Sequence, residues 1–306
     1  MKMPTAVQAD SLLLTIDGKE VKISNPDKVL WPELNLTKMA FLQIMMNLAP
    51  YLLKYSRQRL LTVIRFPDGI HGESFYQKNV PSYAPDWIER KKWQNTEYVL
   101  LNNRAALAWL VNSAALEFHT AFNYIYEAGP SDLVFDLDPS VNEFAQVAEL
   151  ALDIKACMDN LGLKSHVKTS GSTGLQVYIP IEPRYTYDQA REVNHFLAKY
   201  FAEKHPQKVT IERLVKNRGT RIYFDYLQMW EGKTIAAPYT PRANPEGKVS
   251  APLSWDELSQ GARPEDFTLL TIERRLEKMG DLFADKLKEK QSIDHILQFI
   301  AKTRRD

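Results

Sequence analysis

SDLVFDLDPS, residues 131–140, decides how the rest of the chain is read. Leu133, Val134 and Phe135 are strand formers, and Pro139-Ser140 closes the run. Side chains alternate along a strand, so Asp136 and Asp138 point the same way, with Cα atoms about 6–7 Å apart. Two carboxylates that close repel, and one is driven towards protonation unless a cation lies between them. A divalent metal ion is the usual cation for such a pair. The alternative is a plain strand end, with Asp138 capping the following helix and Asp136 paired to a basic residue.

The 306 residues suffice for one large domain or two moderate ones. Hydrophobic residues make up 44% and charged residues 25%, the balance of an ordinary globular chain. The net charge of +1 leaves no global basic field, so a nucleic acid has to bind a local basic patch. Cys157 is the only cysteine, which excludes a disulfide scaffold and a cysteine-rich zinc site and fits a cytoplasmic setting. The opening MKMPTAVQAD lacks the apolar stretch of a signal peptide. No apolar run approaches the roughly 20 residues that span a bilayer, so no membrane partner is expected.

Residues 11–23 read as two short strands around Asp17-Gly18, and residues 25–37 as a loop. Thr37 reads as the N-cap of an amphipathic helix over residues 38–55, kinked at Pro50. Residues 59–80 read as strand, turn, strand, residues 93–101 as a strand, and residues 103–120 as a helix. After the double-aspartate strand come a helix over about 141–161, a strand–glycine turn–strand over 166–181, and a helix over 187–204. Residues 209–214, 221–228 and 234–240 read as strands, and the charged tail beyond about 265 as mostly helical. No repeat or low-complexity linker divides the chain, so residues 1–306 are expected to form one domain. Strands often follow strands without a helix between them, which points to α+β with largely antiparallel sheets.

A third carboxylate lies in RIYFDYL, where alternation puts Arg221, Tyr223 and Asp225 on one face. A charge in so apolar a strand needs a partner. That partner is either Arg221 or another arginine, or a cation shared with Asp136 and Asp138. In the second case three carboxylates hold two divalent ions about 3.5–4 Å apart, an arrangement used for in-line nucleotidyl transfer. TSGSTGLQVYIPI is not a P-loop, because no Gly-Lys-Ser/Thr follows and a strand comes next. Its Ser170, Gly171, Ser172 and Gly174 either offer N–H groups and hydroxyls to a phosphate or form a plain hairpin. Basic residues cluster as Arg213, Lys216, Arg218 and Arg221, as Arg242, and as Lys28 and Lys38 near a helix start, where backbone N–H groups also favour an anion. SFYQKN sets Phe75 and Tyr76 beside Lys78, suited to stacking a base and holding a phosphate, or to an amphipathic strand with one aromatic in the core. LEFHTAFN places Glu117 and His119 at a helix end, where His119 is a catalyst or a structural hydrogen-bonder.

In order, NPDKVLWPELNLTK, RFPDGIHGESFYQKNVP, LEFHT, DLVFDLDP, KTSGSTGLQVYIPI, RIYFDYLQ, APYTPRA and APLSWDEL closely resemble the polymerase domain of bacterial ligase D, of the archaeo-eukaryotic primase superfamily. The resemblance runs from about residue 20 to 275, followed by the charged tail over about 276–306. It implies a primase-like core and addition of nucleotides, preferentially ribonucleotides, at DNA ends and gaps during non-homologous end joining. It further implies two manganese or magnesium ions on Asp136, Asp138 and Asp225, with His119 near the active site. Phe75 or Tyr76 would stack on a base, and Lys78, Ser170, Ser172, Gln176, Arg218 and Arg242 would surround the nucleoside triphosphate. Asn25, Lys28 and Lys38 fall where the family holds the 5′-phosphate of the downstream strand. Double-stranded DNA ends would be the partner, in the nucleoid, with Ku and a DNA ligase acting in trans. Thr173 and Gln176 depart from the family's lysine and histidine, and Met229 from its asparagine. Two other readings compete. One is a 5′-phosphate recognition module with weakened catalysis, motivated by Thr173 and Gln176. The other is a haloacid-dehalogenase-like phosphatase, whose fold also opens on a hydrophobic strand ending in Asp-x-Asp.

Overall fold

The computed structural model describes residues 11–304. Ser11–Ile16 (β1) and Lys19–Ser24 (β2) form the expected hairpin over Asp17-Gly18. The stretch expected as a loop holds a second small hairpin, Val29–Trp31 (β3) with Leu36–Thr37 (β4). Asn35 supplies its positive φ, and burial of Leu30 and Trp31 holds a segment whose prolines read as a breaker. Thr37 accepts from the Ala40 amide and starts Lys38–Ser56 (α1), which continues through Pro50 as one helix. Leu61–Arg65 (β5) and Phe75–Gln77 (β6) follow. The single strand expected over 93–101 is one arm of a hairpin, Arg90–Trp93 (β7) with Thr96–Val99 (β8).

The helix expected over 103–120 is two elements, Arg104–Asn112 (α2) and Ala115–Ala121 (β9). Ser113 caps the helix and Ala114, at φ 57°, turns the chain out of it. Ala115 and Leu116 favour helix, but pairing of this segment with β5 outweighs that preference. Glu117 and His119 therefore stand on a strand, not at a helix end.

Asp132–Pro139 (β10), Phe144–Asn160 (α3), His166–Thr169 (β11), Leu175–Pro180 (β12) and Tyr187–Lys204 (α4) come next. Val209–Thr210 (β13), Ile222–Phe224 (β14), Thr234–Ala236 (β15) and Pro252–Leu253 (β16) complete the strands. The strand expected over 221–228 stops at Phe224, because Asp225 caps a 3-10 turn. Trp255–Ser259 (α5), Ile272–Met279 (α6) and Asp294–Thr303 (α7) are the last helices.

Six strands run in the order β13-β14-β10-β12-β11-β16 and four in the order β15-β9-β5-β6. Every pairing in these two sheets is antiparallel except β13 with β14. This is the α+β architecture expected. It also removes the phosphatase reading, whose Asp-x-Asp strand belongs to a parallel sheet, because β10 runs antiparallel to both neighbours. One face of β10 is apolar: Phe135 packs on Phe224, which stacks on Phe201 of α4. The other face carries Asp132, Val134, Asp136 and Asp138.

The tail is packed, not merely solvated. Phe283, Ile293, Ile296 and Ile300 are buried. Asp281 accepts hydrogen bonds from the Tyr55 hydroxyl at 2.8 Å, the Tyr239 hydroxyl at 2.7 Å and Lys54 Nζ at 2.8 Å, joining the tail to α1. Burial alone would raise the Asp281 carboxyl, but donation from Lys54, Tyr239 and Tyr55 holds it below the usual range. A carboxyl with a depressed folded pKa adds stability that is present above its unfolded pKa, about 4, and is lost as pH falls through the folded value. Asp281→Asn is expected to lose about 2–3 kcal/mol at neutral pH, measured by urea unfolding. It should also flatten the dependence of stability on pH below about 4. An unchanged acid limb would show that the carboxylate does not latch the tail.

Candidate active site

Three aspartates share one face of β10 and meet three different environments. Asp132 is an internal reference: it accepts from Lys286 Nζ at 2.6 Å and from the Ser131 hydroxyl. Burial pushes its carboxyl up, yet Lys286 and Arg59 overcome this and hold it below the usual range. Asp136, four residues on and equally enclosed, has no such cation. Burial, followed by the charge of Asp138, drives it well above the usual range, against a hydrogen bond from Gln176. Asp138 is raised by burial and by Asp225, with Arg218 and Arg242 pulling the other way. The strand thus satisfies one aspartate with a built-in cation and leaves the next two under mutual repulsion.

The register explains why these groups meet. Asp136 lies opposite Gln176 on β12, whose Nε2 donates to Asp136 Oδ1 at 3.0 Å. Asp138 lies opposite Tyr223 on β14. The Asp225 amide donates to the Asp136 carbonyl at 2.9 Å, which carries the third carboxylate to the same strand end. The bland partners fail. Arg221 donates to the carbonyls of Arg218 and Asn217, not to Asp225. The residue capping α3 is Glu143, not Asp138. Asp225 Oδ1 instead accepts from the Tyr223 hydroxyl and the Leu227 amide, both at 3.0 Å.

Among the described residues no three His, Cys, Asp or Glu side chains form a closed metal cage as they stand. The donor set nevertheless fits hard divalent cations: three carboxylates, with Asp136 and Asp138 both raised by burial and by a neighbouring carboxylate. Asp225 engages Tyr223 and Leu227 through Oδ1 alone.

The glycine turn packs on the end of the aspartate strand. A Cβ on Gly174 would clash with the Leu137 carbonyl, and Gly171, at φ 75°, lies against Arg242 Cγ and the Ser250 amide. The Ser170 hydroxyl accepts from the amides of Ser172 at 3.2 Å and Gly174 at 3.1 Å, so it shapes the turn from inside. Ser172 is half-buried and Thr173 exposed on the same turn.

Glu117, noticed beside His119 but not expected as a site residue, is the hub of the second sheet's contribution. Its Oε2 accepts from Arg242 Nε at 2.8 Å and meets His119 Nε2 at 2.9 Å, and its Oε1 accepts from the Ala243 amide. Arg242 also donates to the Ser170 carbonyl, and Asn244 Nδ2 to the Gly171 carbonyl, each clamping the glycine turn. Burial pushes the His119 imidazole down, with Glu117 partly opposing it. Arg218 stands with its guanidinium 3.8 Å from the Tyr223 ring centroid, beside Asp138's cross-strand partner.

The remaining candidates lie in two other groups. Phe75, 45% exposed, and Tyr76, 72% exposed, stand with exposed Lys78 at the edge of the four-stranded sheet. The single buried aromatic allowed by the bland reading is absent there. Arg65, also missed, lies 5.2 Å from the Phe75 ring centroid and donates to Gln77 and Tyr83. Asn25 takes φ 47° and accepts from the Lys28 amide; Lys28 pairs with Asp68 at 2.7 Å. Lys38 is buried, and its Nζ donates to the carbonyls of Ser24 and Asn112, which makes it structural as it stands. Its pKa is lowered by burial and by the nearby charges of Lys28 and Arg65, so these three cations form one cluster.

Residues 37–283 match the family model described as LigD, primase-polymerase domain. The chain is 39% identical over 268 residues to the bifunctional non-homologous end joining protein LigD of Bacillus subtilis, aligning 87% of this chain and 44% of that protein. It is 33% identical over 277 residues to the multifunctional non-homologous end joining protein LigD of Mycolicibacterium smegmatis, aligning 87% of this chain and 36% of that protein. The fold superposes on the polymerase domain of Mycobacterium tuberculosis ligase D, solved in complex with DNA, with a TM-score of 0.82 and 28% identity over 89% of this chain and 99% of that one. The chain belongs to the LigD primase-polymerase domain family, a class of nucleotidyltransferases. It spans less than half the length of the curated relatives it matches.

Glu117→Gln keeps the shape of the hub and removes its charge. Nucleotide addition is expected to fall roughly 10–100-fold while the fold stays intact, read by primer extension beside circular dichroism. Full activity in this variant would mean that Arg242 holds the glycine turn without Glu117.

Proposed function

We propose that this chain is a DNA-end primase-polymerase that adds nucleotides, preferentially ribonucleotides, to 3′ ends at gaps and breaks during non-homologous end joining. The observation that carries this reading is the contrast along β10, where Asp132 has its own cation and Asp136 and Asp138 do not. Asp136 and Asp138 would hold two manganese or magnesium ions jointly, and Asp225 would hold the ion on the primer side. Bound there, the ions would supply charge neutralisation at the α-phosphate and a lowered pKa at the primer 3′-hydroxyl. Arg242, fixed by Glu117, would present positive charge beside the glycine turn, and Arg218 would do so beside Asp138. These two arginines favour a triphosphate over a neutral ligand. Gln176 orients Asp136 through a neutral amide that still donates a hydrogen bond.

Phe75 and Tyr76 offer exposed rings for base stacking, with Lys78 placed for a phosphate. Lys28 would meet the 5′-phosphate of the downstream strand by leaving Asp68. The working partners would be gapped or broken double-stranded DNA, nucleoside triphosphates, and Ku and a DNA ligase as separate chains or domains. The setting would be cytoplasmic, at the nucleoid. Among the described residues no helix is long and apolar enough to cross a membrane.

The test is extension of a primer on a gapped duplex carrying a downstream 5′-phosphate, with manganese, comparing ATP with dATP. Templated addition favouring ATP is expected. Asp138→Ala should keep the fold and lose extension by at least about 100-fold, a loss of about 2.7 kcal/mol or more of transition-state stabilisation. Extension by that variant at the normal rate would sink the assignment. Binding of the 5′-phosphorylated gap with no addition at any manganese concentration would instead mark a recognition module. Binding should also weaken with salt, with a slope set by the number of phosphates contacted.

A further inference from the structure

Lys168 is a fully buried lysine on the same face of the six-stranded sheet as the aspartates. It lies opposite Gln176 on β12, which in turn lies opposite Asp136 on β10, so Lys168, Gln176 and Asp136 form one row across three strands. Among the described residues its ammonium makes no ion pair. Nζ donates to the Ser250 hydroxyl and to the Thr169 carbonyl, both neutral. Asp136 is the acidic group acting on its charge, Arg242 opposes it, and Lys168 in turn acts on His119. Between Lys168 and Asp136, Gln176 turns Nε2 to Asp136, while its Oε1 is buried without a donor among the described residues.

An unpaired buried cation is costly, and an apolar side chain of the same length would remove that cost. Lys286 shows how this fold treats a buried lysine that only balances charge: it sits directly on Asp132. Lys168 is held one residue further away, with an amide between it and the carboxylate. A cation at contact distance would occupy the coordination positions of Asp136. A cation in the next position of the row compensates the charge and leaves Asp136's oxygens accessible.

We propose that Lys168 is a positioning residue for the catalytic centre, a fixed counter-cation that stabilises the ion-free Asp136–Asp138 pair and thereby weakens and tunes its affinity for divalent ions. The inference rests on the metal-binding reading above. Loss of the counter-cation removes a repulsion on each incoming divalent ion that exceeds the attraction exerted on either singly charged carboxylate, since the interaction scales with the product of charges.

The experiment is titration of the full chain with Mn2+, read by the electron paramagnetic resonance signal of the free aquo ion, in the native protein, Lys168→Met, and Lys168→Gln. The last keeps a donor for Ser250 if the methionine variant fails to fold. Manganese affinity is expected to tighten at least about fivefold in the neutral variants, with thermal stability unchanged or raised. Unchanged or weaker affinity in a folded neutral variant would overturn the proposal and leave Lys168 as a structural hydrogen-bonder. Failure of the native protein to bind Mn2+ at all would overturn the metal reading itself, a separate result.

Discussion

The repulsion between Asp136 and Asp138 is the constraint on which the rest of the architecture depends. A strand interior tolerates one buried carboxylate when a cation is built beside it, and Lys286 does this for Asp132. The same strand, on the same face, then places two more carboxylates with no ion pair among the described residues. That arrangement lowers stability on its own, so the surrounding structure has to hold it in place. The antiparallel register does so: Gln176 and Tyr223 flank the two aspartates, and the Asp225 amide is tied to the Asp136 carbonyl. A one-residue slip of β10 would turn all of these side chains to the apolar face.

The second sheet contributes through Glu117. One buried carboxylate orients an imidazole, a guanidinium and a backbone amide, and the guanidinium clamps the glycine turn. The turn is therefore fixed from two sides, by Arg242 and Asn244 above and by the Leu137 carbonyl against Gly174 below. Flexibility is not what the glycines supply here. They permit close approach of the turn to Arg242 and to the aspartate strand.

Much of this was legible in the chain and some was not, for identifiable reasons. Asp136 and Asp138 could be read because a period of two is unambiguous in a strand bounded by proline. Asp225 falls beside the end of β10 although its own strand ends one residue earlier, since the cap lies just past the ladder. Residues 103–120 misled because alanine and leucine carry helix propensity into a segment whose sheet partners are far away in sequence. The alternation of Leu116, Phe118 and Thr120 with Glu117 and His119 was the overlooked signal. Lys168 and Lys38 were hidden for another reason: whether a lysine is buried among carbonyls or exposed to solvent depends on what packs over it, and single-sequence patterns do not report that. Asp132 was passed over because its partner, Lys286, lies in a tail that read as merely charged.

The two groups of basic residues divide the labour that the proposed function requires. Around the aspartates, Arg242 and Arg218 are held by a carboxylate or by carbonyls, so their charge is fixed before any ligand arrives. Preorganised charge of this kind is suited to a transition state, because nothing has to reorder at the moment of reaction. At the Lys28–Lys38–Arg65 cluster, Lys38 is committed to carbonyls and supplies field without contact. Lys28 is different, since its partner Asp68 is 77% exposed. An ion pair so open to water is worth about 0–1 kcal/mol, so Lys28 can exchange Asp68 for a phosphate at little cost. Capture of a DNA end would then be reversible and sensitive to salt, while the centre that acts on it stays rigid.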